Sequence, residues 1–351
     1  MRNVGDQQQH DDERDQERCR RRNTALETQA GDARKHVKHD TDRRRQQAGH
    51  RGARSLAPEN TLAAFARALS IGVTTLELDT GVTKDGVVVV SHNPHLEPNL
   101  ARDATGKWLD VKSPAIRAMT LAEVKAYDIG RLKPGTRYAG NYPDQIASDG
   151  QRVPTLAEVF ALVKRAGNAD VRFNIETKLK PTAPDDTVSP KAFAEALLKV
   201  IAEHGMTGRV AIQLFDWRTL QEVQRQAPAV PTVYLTAQQR WLDNVRVGEA
   251  GPSPWTAGFD VDDFGASLPR LVKAAGGRVW SPHYKDVSAA AVKEAQSLGL
   301  QVVVWTVNTP DQMNALIDLG VDGIISDYPD RLRAVLEKRG MPAPKPTPVS
   351  P

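Results

Sequence analysis

Cysteine is almost absent: Cys19 is the only one in 351 residues. That excludes an internal disulfide framework and a cysteine-built zinc site. No apolar run approaches the roughly 18 residues of a membrane-spanning helix, so no stable membrane insertion is expected. No apolar core follows the N-terminal arginines, so no secretory signal is expected either. As written, the chain reads as cytoplasmic; a different natural N-terminus would make it periplasmic or secreted. Three loops are missing as well: GxGxxG after a strand, GxxxxGK[ST], and the G-x-S-x-G elbow. Their absence argues against dinucleotide binding, nucleotide hydrolysis and serine esterase chemistry. Charge of one sign is also lacking, because 47 cations against 43 anions leave only +4.

What is present divides into tails and a middle. Residues 1–47 hold 12 Lys/Arg and 10 Asp/Glu but only Met1, Val4, Leu26 and Val37 as sizeable apolar residues. Such a segment cannot offset its ordering entropy, so residues 1–45 are expected to be disordered. Basic runs at 18–22 and 43–45 are interleaved with acids and read as a solvated tail, with no nucleic-acid partner. Residues 339–351 read as a Pro-rich disordered tail.

Between the tails, residues 46–338 alternate strand-like and helix-like segments, the pattern of a parallel sheet. Strands are expected at 46–52, 74–80, 87–92, 170–178, 209–215, 230–236, 278–283, 301–308 and 322–327. Too few residues separate the second and third for a parallel crossover, so they should form an antiparallel hairpin with Asp79 opposite His92. Eight strands remain for the parallel set. Eight closes a (β/α)8 TIM barrel, with the extra hairpin arm after strand 2; an open doubly wound sheet is the competing architecture. Insertions at about 93–153 and 237–277 leave from the face where barrel active sites are built.

Strand parity then sorts the side chains. Glu77 and Asp79 share one face, as do Asn174, Glu176 and Lys178, while Leu76, Leu78, Phe173 and Ile175 take the other. Carboxylates pointed into a barrel need compensation. A divalent cation would supply it, and three carboxylates (Glu77, Asp79, Glu176) suit Mg²⁺ or Ca²⁺. The competing reading pairs these acids with Arg51 and Lys178. His50 and His92 end strands on the same side and suit acid and base work; His283, at the end of a later strand, is a weaker candidate. Arg51 and Lys178 offer a fork and a point charge to phosphate.

The stretches HRGARSLAPENT (50–61), LELDTGVTKDG (76–86) with VVVVSH (87–92), NIETK (174–178), VWTVN (304–308) and DGIISDYP (322–329) together resemble the glycerophosphodiester phosphodiesterase family, over roughly residues 48–335. The resemblance implies a metal-dependent (β/α)8 hydrolase that converts glycerophosphodiesters to glycerol 3-phosphate and an alcohol. It implies Glu77, Asp79 and Glu176 as metal ligands, His50 and His92 as the acid/base pair, and Arg51 and Lys178 on the phosphate. Glu59 becomes a carboxylate behind the metal side, and Phe215 and Trp305 line the glycerol side. It further implies attack by the substrate's own glycerol hydroxyl, giving a cyclic phosphate that water opens. Asn60 is expected to cap the first helix, and the glycines around His50 to pack beside phosphate. Two departures stand out: Asn93 follows His92 where the family often has Asp, and DRRRQQAG precedes His50 where an apolar strand is usual. A lysolipid-directed phospholipase on the same barrel is the alternative activity, its apolar contacts coming from the 237–277 insertion. A non-catalytic phosphate-binding barrel is the third reading.

Overall fold

The protein is described here by a computed structural model covering residues 46–351. The expectation of disorder for residues 1–45 lies outside the described residues. In chain order the elements are β1 (Gln46–Gly49), α1 (Leu62–Ile71), β2 (Thr75–Val82), β3 (Val88–Val90), α2 (Leu121–Lys125), α3 (Arg137–Gly140) and α4 (Leu156–Arg165). Next come β4 (Arg172–Thr177), α5 (Pro190–Glu203), β5 (Val210–Leu214), α6 (Trp217–Gln226), β6 (Thr232–Thr236), β7 (Gln238–Gln239) and β8 (Leu242–Asp243). The chain finishes with α7 (Leu268–Ala274), β9 (Val279–Pro282), α8 (Ala289–Ser297), β10 (Gln301–Val304), α9 (Pro310–Leu319), β11 (Gly323–Ser326) and α10 (Pro329–Lys338).

Strands β1, β2, β4, β5, β6, β9, β10 and β11 pair in parallel, each with the next, and β11 pairs back to β1. This is a closed eight-stranded parallel barrel with helices between the strands, the expected (β/α)8 architecture. The minor β7–β8 hairpin inside the second insertion was not foreseen. Outward-facing Leu76, Leu78, Phe173, Ile175 and Ile212 pack under the helices and are fully buried, each contributing about 1.5–3 kcal/mol. Residues of the opposite parity (Ala48, Val233, Val279, Val303, Ile325) form a separate small apolar cluster that fills the barrel.

Strand β2 is longer than the others, and β3 pairs antiparallel with its projecting end, with Thr80 opposite Val90 and Val82 opposite Val88. That register places Asp79 opposite Ser91, whose N–H donates to the Asp79 carbonyl at 3.0 Å. The expected Asp79–His92 pairing is therefore off by one residue. The turn spans residues 84–86: the Thr83 N–H donates to the Val87 carbonyl, and Gly86 takes φ +79.

Strand β1 is only four residues long, which accounts for its unusual sequence. Gln46 sits opposite Gly323, where a Cβ would come within 2.6 Å of the Gln46 Cβ. Gln47 is buried, yet its side-chain amide donates to the Pro342 carbonyl at 3.2 Å. Residues 341–350, read from composition as a disordered tail, are held against the barrel. Thr347 N donates to the Leu69 carbonyl at 2.9 Å, Asn168 bonds the Thr347 hydroxyl at 3.0 Å, and Arg333 bonds the Pro344 carbonyl at 2.6 Å. Met341 and Val349 pack on the core. Proline leaves few N–H groups to satisfy, so such a segment can be tied down through its carbonyls.

Candidate active site

The turn after β1 builds one side of the barrel mouth. His50 directly follows the strand, Arg51 takes φ +50 and Gly52 φ +85. The turn aims the Arg51 N–H at Glu77 Oε2, 2.8 Å away. A Cβ on Gly52 would lie 2.7 Å from the backbone of Ala64 in α1. The close approach of the first helix is thus enough to require this glycine. Asn60 is also not the cap. Thr61 caps α1, its Oγ accepting from Ala64 N at 3.1 Å, which frees the Asn60 amide to donate to Asp79 Oδ2 at 2.9 Å.

Strands β2 and β4 carry the carboxylates on the inward face, in register: Glu77 beside Asn174 and Asp79 beside Glu176. One oxygen each from Glu77, Asp79 and Glu176 can be chosen so that all lie within 4.8 Å of one another, and all three residues are buried. Burial, reinforced by Asp79 and Glu176, holds the Glu77 carboxyl well above its ordinary range. Burial raises Glu176 too, with Lys178 opposing. Burial works on Asp79 in the same sense, but His92 when protonated, Lys178 and Arg51 outweigh it and hold that carboxyl far below the usual range.

The cations are already committed. Lys178 Nζ donates to Glu176 Oε1 at 2.6 Å and lies 3.5 Å from Asp79. Arg51 donates to Glu59 at 2.7 Å, and its Nε is 3.3 Å from Asp79 but too poorly aligned for a hydrogen bond. Four buried carboxylates (Glu59, Glu77, Asp79, Glu176) thus meet buried Arg51 and half-buried Lys178, leaving two negative charges uncompensated when all are ionised. The pairing reading accounts for half the charge. A hard divalent cation fits the remainder, both in charge and in its all-oxygen donor set, so this cluster can hold one.

The two histidines flank the carboxylates with one ring nitrogen each tied down. His50 Nδ1 lies 2.6 Å from Asp327 Oδ1. Burial would raise the Asp327 carboxyl, but Arg54 and His50 hold it far below its usual range; being ionised it accepts, so Nδ1 carries the proton. That leaves His50 Nε2, 3.8 Å from Glu77 Oε2, facing the mouth. Asn93 donates its amide N–H to Glu97 at 3.2 Å, turning its oxygen to His92 Nδ1 at 2.9 Å. Asn93 therefore keeps the acceptor function an aspartate would have, without its charge. Burial lowers both histidines below their ordinary value, helped by Arg54 at His50 and by Arg51 and Lys178 at His92.

Phe215, beyond β5, and Trp305, beyond β10, meet edge to face with centroids 5.3 Å apart. Trp305 Nε1 donates to the Ser281 carbonyl at 2.9 Å. His283 joins this aromatic side, 5.2 Å from Trp305 and 5.8 Å from Trp241, rather than the carboxylates.

Several site residues escaped the sequence reading. Asp327 accepts from His50, from Arg54 twice at 2.9 Å, and from Asn308 at 2.8 Å. A signal existed: barrel closure makes the last strand neighbour the first, so a carboxylate just past β11 falls beside a histidine just past β1. Tyr138, whose hydroxyl donates to Glu59, carries no such signal, because it comes from a short helix deep in an irregular insertion.

The mouth of this closed (β/α)8 barrel thus gathers three buried carboxylates, two oriented histidines, Arg51 and Lys178. The family model for the glycerophosphoryl diester phosphodiesterase family matches residues 50–331, and the chain belongs to that family. A glycerophosphodiester phosphodiesterase of Caldanaerobacter subterraneus is 30% identical over 291 residues, 83% of this chain and 97% of the relative. A solved structure of a candidate glycerophosphoryl diester phosphodiesterase from Silicibacter pomeroyi is 38% identical, with TM-score 0.74, covering 84% of this chain and 93% of the other. A phosphodiesterase of Oleispira antarctica, solved with the product sn-glycerol-3-phosphate, shares the fold at TM-score 0.60 and 19% identity, covering 83% and 96%. The chain is thus an enzyme of the phosphodiesterase class.

Proposed function

We propose that the mouth hydrolyses glycerophosphodiesters to glycerol 3-phosphate and an alcohol, with Glu77, Asp79 and Glu176 holding Mg²⁺ or Ca²⁺. The observation that carries this reading is the pair of histidines, each with Nδ1 tied to an acceptor, on either side of a carboxylate cluster two charges short of neutrality. The cation, when bound, supplies positive charge against the phosphoryl oxygens.

The chain's own groups do the rest. Arg51 and Lys178 take the non-bridging oxygens, and Phe215 and Trp305 line the glycerol end. Glu59 holds the Arg51 fork in place. His50 Nε2 takes the proton of the glycerol 2-hydroxyl as that oxygen attacks phosphorus, and Asp327 stabilises the resulting imidazolium. His92, charged at the outset because Asp79 and the substrate's phosphate anion favour its imidazolium, gives its Nε2 proton to the departing alcohol oxygen as its bond to phosphorus breaks, leaving a cyclic phosphate. In the second half His92 takes a proton from water as it adds to phosphorus. His50 returns its proton to the 2-oxygen, and the ring opens to glycerol 3-phosphate.

Glycerol 3-phosphate release from glycerophosphocholine tests this. Excess EDTA should abolish it and added Mg²⁺ or Ca²⁺ restore it. His50→Ala and His92→Ala should each lower kcat by about 10²–10⁴-fold. Full activity in EDTA would remove the cation from the scheme. A second reading, a lysolipid substrate at a membrane surface, is supported by one observation. Among the described residues the large exposed apolar side chains are Val111, Ile146, Trp241 and Val247, all in the two insertions. Among the described residues no helix is long and apolar enough to cross a membrane, so such contact would be peripheral. Rates on lysolipid micelles exceeding those on soluble diesters would favour it.

A further inference from the structure

The barrel interior beside the acidic cluster carries two neutral amides with no part in the scheme above. Asn174 on β4 and Gln213 on β5 are 4% and 2% exposed. They point inward in the same layers as the carboxylates: Asn174 is the register partner of Glu77, and Gln213 that of Glu176. Asn174 Nδ2 donates to Gln213 Oε1 at 2.6 Å. With its oxygen so occupied, Gln213 turns its Nε2 to Glu77 Oε1, 2.8 Å away. The other oxygen, Glu77 Oε2, accepts the Arg51 backbone N–H at 2.8 Å. Each Glu77 oxygen therefore has one N–H donor and at least one lone pair to spare.

We infer that Gln213, its amide oriented by Asn174, is a positioning residue that fixes the Glu77 carboxylate for cation binding. Its own oxygen is taken by Asn174, so it is not a further ligand in this arrangement. A reversed amide would set an oxygen against Glu77 Oε1, which the Asn174 bond prevents. Asn174 thus acts on the cation cluster only through Gln213. Residues that orient ligands in this way are worth about 10- to 100-fold in metal affinity. The inference rests on the reading of Glu77 as a cation ligand, and the experiment separates the two.

Calorimetric titration of the full-length chain with Ca²⁺ alone and with Mg²⁺ alone, scored on the tighter ion, is the test, with thermal unfolding of the metal-free variants alongside. Glu77→Gln serves as the control for the cluster. Gln213→Leu should weaken binding by about 10- to 100-fold, and Asn174→Ala should weaken it in the same direction. Their effects should be non-additive: in the Gln213→Leu background, Asn174→Ala should add less than about twofold. If wild type binds, Glu77→Gln weakens binding and Gln213→Leu binds like wild type, the inference is overturned while the cluster stands. Full additivity of the two amide substitutions would overturn the relay. Binding unaffected by Glu77→Gln would overturn the ligand reading itself. Should Gln213→Leu not fold, Asn174→Ala alone decides: affinity equal to wild type sinks the inference.

Discussion

Asp327 accepts hydrogen bonds from three side chains, and in the proposed scheme its negative charge makes His50 a competent proton acceptor. Asp327→Asn should lower kcat by about 10²–10⁴-fold, the usual worth of an oriented acid–base group, with a smaller change in KM. An unchanged kcat in steady-state assays would remove Asp327 from the machinery. The same residue sets an acid limit on stability. Its folded pKa lies below the unfolded value of about 4, so its contribution is present above about pH 4 and is lost as pH falls toward the folded value. Urea unfolding at pH 7, 4 and 3 should therefore show a shallower loss of stability for Asp327→Asn than for wild type. At this scale the sequence was legible wherever parity alone placed a side chain, as for Glu77, Asp79 and Glu176. It was silent where the partner comes from far along the chain, as for Tyr138 on Glu59 or Arg54 on Asp327.

Among the elements, the turn from β1 to α1 is the most constrained. Gly52 combines φ +85 with helix backbone 2.7 Å from where a Cβ would stand. Gly52→Ala should cost about 3 kcal/mol, read from denaturant unfolding, because it adds an overpacking penalty to a left-handed conformation. Tolerance of alanine there would show that α1 is not tightly seated on the turn. The C-terminal segment is a second element whose role composition concealed. Ending the chain at Gly340 removes the Gln47, Arg333, Leu69 and Asn168 bonds. It should lower stability by about 1–3 kcal/mol without changing kcat, because these contacts lie around β1 and the C-terminal end of α1, away from the mouth. Strand β1 shows the same lesson from the other side. Four residues with two glutamines do not read as a barrel strand, yet Gly323 makes room for one and the C-terminal segment satisfies the other.

On the scale of the whole molecule, the mouth concentrates carboxylates that folding leaves under-compensated, so a bound cation and the fold support each other. Mg²⁺ or Ca²⁺ at 100 times its Kd should stabilise the protein by about 2.7 kcal/mol through mass action, seen as a raised Tm that Glu77→Gln abolishes. An unchanged Tm at saturating ion would contradict a cation site in the cluster. The alternation of strands and helices, and the parity of LELDT and NIETK, were enough to determine a parallel eight-stranded α/β sheet with the acids on one face, because both follow from periodicities of two and 3.6 residues that any local stretch displays; closure into a barrel rests on the pairing of β11 with β1. The off-by-one register of the β2–β3 hairpin, the Arg54 bonds to Asp327, the Tyr138 contact from the insertion and the seating of residues 341–350 were decided only by tertiary structure. Each depends on which distant backbone arrives beside which side chain, and no local periodicity encodes that meeting.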